Sequence, residues 1–77
     1  MDRRRLPRTV RGAKRRGWTA VVILRREDLS WVGILNHITR MTEGPYVSSY
    51  DFQGGGTVAF LNEKDALITQ MRFGTFG

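Results

Sequence analysis

The stretch YVSSYDFQGGGTVAFL, residues 46–61, decides the fold. Tyr46, Ser48, Tyr50 and Phe52 alternate with Val47, Ser49 and Asp51, the two-residue period of a strand with its aromatics on one face. Gly54, Gly55 and Gly56 follow, a run able to take the positive φ values that a tight turn requires. Residues 57–61 then return as a second strand. A β-hairpin is the reading.

Working outward from the hairpin, Trp31, Ile34, Leu35, Ile38 and Met41 recur at the spacing of one helical face, and Gly44-Pro45 stops that helix before the hairpin begins. Glu27 and Asp28 put negative charge at its start, with Asp28 the expected cap. Upstream again, residues 18–25 (WTAVVILR) carry apolar side chains on both parities, which predicts a strand covered on both faces or central in its sheet. Downstream of the hairpin, Asn62 with Asp65 three residues later resembles a capping box. Ala66, Leu67, Met71 and Ile68 would then form the apolar face of a second helix that ends at Gly74.

The order β-α-β-β-α is an α+β arrangement, that of a ferredoxin-like or split β-α-β unit lacking its final strand. Its first strand should lie beside its third and leave one edge unpaired, open to a second copy (a homodimer), to a host protein, or to a folded-back segment of the chain. Residues 18–77 form this single small domain, and residues 1–17 form a separate arm.

The arm holds Arg3, Arg4, Arg5, Arg8, Arg11, Lys14, Arg15 and Arg16 against one acid, Asp2, a balance of +7. The remaining residues hold five basic and six acidic side chains, so the net charge of +6 belongs to the arm alone. With Leu6 and Val10 as its only sizeable aliphatics after Met1, and with Pro7, Gly12 and Gly17 breaking any period, the arm is expected to be disordered and flexible. Its arginines suit phosphate, because a planar guanidinium fork can bond two oxygens at once. Those eight basic residues are the expected nucleic-acid-binding set. The same charge would serve contact with an acidic protein surface, and a solvated tail or a targeting peptide remain open readings.

Catalysis and metal binding find no support. There is no cysteine, His37 is the only histidine and is expected on a helix surface, and the glycine run lacks the lysine and helix start of a phosphate loop. Ser48 and Ser49 sit in no nucleophile motif, and Asp51 has no carboxylate partner at a fixed spacing. No cofactor and no enzymatic activity are expected. Trp18, Trp31, Tyr46 and Tyr50 are the candidate protein-interface residues, the two tryptophans reading equally as core anchors, and Tyr46, Tyr50 and Phe52 as core beneath a helix or as a platform for unpaired bases. No apolar run is long enough to span a bilayer, which with the lack of cysteine leads to an expectation of a cytoplasmic protein.

Two short segments resemble known families. Residues 56–66 (GTVAFLNEKDA) look like the third strand and following helix start of an RNA recognition motif. That likeness implies the fold rather than base stacking, because Val58 and Glu63 stand where the family places aromatics. Residues 58–74 (VAFLNEKDALITQMRFG) resemble the C-terminal segment of small bacteriophage accessory proteins, the likeness being carried by Phe60, Asn62, Asp65, Ala66, Met71, Arg72, Phe73 and Gly74. It implies a host-takeover or inhibitory factor that binds host protein or nucleic acid in the host cytoplasm, or else a virion component.

Overall fold

The computed structural model describes residues 6–51 and 53–73. The elements are α1 (Val10–Arg15), β1 (Thr19–Ile23), α2 (Trp31–Met41), β2 (Tyr46–Tyr50), β3 (Gly56–Phe60) and α3 (Glu63–Arg72). The three strands form one antiparallel sheet in the order β1-β3-β2. From β1 onward this is the expected α+β order, with β1 beside β3 and on the edge of the described sheet.

The hairpin closes through a side chain as well as through glycine. The Asp51 carboxylate accepts from the backbone N–H of Gln53 (2.7 Å) and of Gly55 (3.3 Å), and the backbone N–H of Asp51 donates to the Gly55 carbonyl at 2.9 Å. Gly54 takes φ +99°, which favours glycine. At Gly56 the requirement is room: a Cβ there would collide with the Ser49 carbonyl and the Trp31 ring.

Each strand shows its alternation as two packed faces. Val21, Ile23, Val58 and Phe60 point to one side and meet Ile34 and Ile38 of α2, Ala66 of α3, and Phe73. Burial of a side chain the size of Phe60, which is fully enclosed, stabilises by roughly 1.5–3 kcal/mol. On the other side Ala59 packs with Trp18 and with Ala13 of α1. The second face is only partly covered: Val22 is 52% exposed and Leu24 57%, so the expectation that residues 18–25 would be enclosed on both faces holds only at the strand's start.

The largest departure from expectation lies in the basic arm. Residues 10–15, expected to be disordered, are helical and docked on the sheet, because local capping and one apolar contact suffice. Thr9 Oγ1 accepts from the backbone N–H of Gly12 at 3.0 Å, capping the first turn. At the other end Gly17, at φ +86°, lets its own N–H reach the Lys14 carbonyl (3.1 Å) and that of Trp18 reach Ala13 (3.0 Å). This is a Schellman ending, and Trp18 and Ala13 supply the apolar contact that accompanies it.

Two helix starts also differ. Ser30, not Asp28, caps α2, its hydroxyl accepting from the N–H of Gly33 at 3.2 Å. Asn62 makes no capping side-chain bond. Asp65 turns away from the helix start and binds the α2–β2 connection instead, accepting from the backbone N–H of Gly44 at 2.9 Å. α3 correspondingly buries Asp65, Ala66 and Thr69, while Leu67 and Met71, expected in its core face, lie outside.

Candidate polyanion interface

α1 is two-sided. Ala13 is fully buried against Ala59, and Val10 packs beside it, which fixes the direction in which the rest of the helix points. Arg11, Lys14 and Arg15 are consequently exposed, at the i, i+3 and i+4 spacing that makes side chains neighbours on a helix surface. With Val10 they line a hollow of about 410 Å³. Arg8, just before the cap, and Arg16, just after the helix, are exposed as well.

Like charges three and four residues apart destabilise a helix by about 0.2–0.5 kcal/mol per pair. Among the described residues, no ion pair to a carboxylate offsets this at Arg8, Arg11, Lys14 or Arg15. Lys14 and Arg15 in the last turn are partly compensated by the negative end of the helix dipole. An external anion would relieve the remainder. The arrangement is therefore an exposed basic surface with mutually repelling cations, held at fixed spacing by a structural helix.

The residues assigned from sequence divide accordingly. Arg8, Arg11, Lys14, Arg15 and Arg16 are brought together around α1, whereas Arg3, Arg4, Arg5 and Phe52 lie outside the described residues. Trp18, a core or interface anchor by sequence, is a core residue at 8% exposure, because it closes the α1 ending. Trp31 is half-buried and Tyr50 is 58% exposed, their rings 5.8 Å apart. Tyr46 packs on Phe60 (5.9 Å), and its hydroxyl shares a 2.7 Å hydrogen bond with Thr39. The β2 aromatics thus face α2 as core and rim. His37 sits half-buried with its ring edge-on to Phe73 at 5.9 Å.

Thr9, Ala13 and Gly17, which hold the basic helix in place, escaped the sequence reading. The signal was present as a capping threonine, a Gly-Trp ending and a single small apolar residue between them. Among the described residues no group of three or more His, Cys, Asp or Glu side chains is arranged to hold a metal ion, and no helix is long and apolar enough to cross a membrane. Comparison with protein-family models, with curated proteins and with solved structures finds no match.

Proposed function

We propose that this chain is a non-enzymatic nucleic-acid-binding module that grips phosphates through its basic N-terminal segment, without base readout. The observation that carries the reading is the exposed Arg11–Lys14–Arg15 triplet on a helix anchored by Ala13. Arg8 and Arg16 flank it, and Arg3, Arg4 and Arg5 extend the same charge in sequence. Anchoring matters energetically: cations already held at a spacing lose less conformational freedom on binding than those of a free tail. Affinity from this source depends on salt, each phosphate neutralised contributing a slope of about −0.9 in log K against log salt for duplex DNA.

The test compares the full chain with its R11Q/K14Q/R15Q variant by fluorescence anisotropy of a labelled duplex between roughly 50 and 200 mM salt. The variant should bind more weakly, and its salt slope should be shallower by about 3. An unchanged affinity and slope would rule the reading out.

A protein-binding role is the second reading, favoured by a specific observation: Leu67 and Met71, large and apolar, are each more than half exposed. The resemblance of residues 58–74 to bacteriophage accessory factors accords with either role. A partner at the unpaired β1 edge belongs to the same reading, since Thr19–Ile23 contains no charge or proline to discourage strand addition.

A further inference from the structure

α3 packs by one side and carries its large apolar side chains on another. Its inner side, Ala66 and Thr69 with Asp65 and the following Phe73, packs into the body. Leu67, Ile68 and Met71 fall on a different side, with Lys64 one turn before them. Leu67 is 57% exposed and Met71 76%, so this stripe has no partner among the described residues. A helix that needed only to dock on its own sheet would carry polar side chains there.

The surface around the stripe is shaped. Met41 at the end of α2 and Ile68, Met71 and Arg72 of α3 enclose an apolar hollow of about 300 Å³. Met71 and Arg72 also form a wall of a second, more polar hollow of about 580 Å³ that includes Arg26, His37 and Phe73. His37 and Met41 are four residues apart on α2, so the two hollows sit about one helical turn, roughly 6 Å, from each other. In the second hollow Arg26 is bonded to Asp28 and lies 5.6 Å over the Phe73 ring, which fixes its position, while Arg72 is exposed on the shared wall. Lys64 and Arg72 stand at the two ends of the apolar stripe, with exposed Glu63 beside Lys64.

We infer that the groove along α3 and the end of α2 receives an acidic amphipathic helix of a partner protein. One apolar side chain of that helix fills the Met41–Ile68–Met71 hollow, and a carboxylate about one turn away meets Arg72. Local charge favours this occupant over a second copy of the chain: an antiparallel α3–α3 pairing would set Lys64 of each copy beside Arg72 of the other. The groove lies on the sheet face opposite α1, so the inference stands apart from phosphate binding by Arg11, Lys14 and Arg15.

The probe is a synthetic amphipathic helix with leucines along one face and glutamates flanking them, paired with a twin in which each glutamate is lysine. Titrated into isotopically labelled full-length chain, the glutamate peptide should shift the amide resonances of Met41, Ile68, Met71 and Arg72, and the lysine twin should bind at least about ten-fold more weakly. Met71→Glu should reduce affinity for the glutamate peptide at least ten-fold, and Arg72→Gln several-fold, with both variants keeping the parent melting temperature because the positions are exposed. The inference is overturned by absence of binding or by equal binding of the twin. It also fails if the shifts centre on α1, or if the same resonances move with the chain's own concentration or with an added oligonucleotide.

Discussion

The backbone N–H of Gly44 donates to Oδ2 of Asp65 across 2.9 Å, tying the α2–β2 connection to the first turn of α3. Asp65 is buried, and the N–H of Glu43 (3.5 Å) and the amide of Asn62 (3.4 Å) complete its surroundings. A single carboxylate thus gathers three donors at a junction of three elements. Asp65→Ala should cost about 1–3 kcal/mol, since it strands the Gly44 donor. The loss should appear as a lower denaturant midpoint with an unchanged m-value.

Thr69 predicts the opposite sign. Its hydroxyl is fully buried on the inner side of α3 and has no hydrogen-bond partner among the described residues. Thr69→Val keeps the shape and the β-branch while removing a buried polar atom, and should stabilise the fold by about 1 kcal/mol. Chemical denaturation of the two proteins side by side decides it. A destabilised valine variant would mean that the hydroxyl is satisfied after all.

Ala13→Asp tests whether the basic helix belongs to the fold. A carboxylate at a fully buried position facing Ala59 and Trp18 cannot be paired there, so α1 should leave the sheet. The expected result is greater solvent exposure of Trp18, read from its indole N–H resonance and its exchange rate, with a stability loss of about 1–3 kcal/mol. An arm that was merely tethered would tolerate the change without either effect. For the same reason a chain truncated at Gly17 is a poor control for charge, because it removes packing along with arginine.

The Arg26–Asp28 pair sets a pH dependence. The hydrogen bond from the Arg26 guanidinium, Nε to Oδ1 at 3.1 Å, holds the Asp28 carboxyl below its ordinary value. Because the folded value is lowered, whatever stability the pair adds is present above the ordinary aspartate range and is lost as pH falls through the lowered value. In Arg26→Gln the Asp28 carboxyl carbon should titrate at higher pH than in the parent, as followed by NMR. Identical titration in both proteins would show that the guanidinium does not hold the carboxylate in solution.

Much of the fold was legible because it is written in large side chains at regular spacing. Tyr46, Val47 and Tyr50 followed by three glycines mark the hairpin, and Trp31, Ile34, Ile38 and Met41 mark the buried side of α2. α3 misleads for a physical reason: its inner side is built from Asp65, Ala66 and Thr69, small or polar residues that carry no apolar signal, whereas the conspicuous Leu67 and Met71 face outward. α1 is missed for a related one. A six-residue helix held by two capping interactions and one alanine leaves no stripe to read, and its eight-arginine-and-lysine context argues for disorder. The basic residues themselves were legible. Their mounting was not.

A three-stranded sheet with one helix on one face and two on the other is also a partition. The cations of α1 and the Met41–Ile68–Met71 hollow share no residue and open on opposite sides. Occupancy of one surface does not sterically block the other, so two ligands bound at once would be held at a fixed separation by the thickness of the fold. With both proposed surfaces occupied the molecule would be ditopic, and a ligand gripped on one side would raise the local concentration of a ligand held on the other.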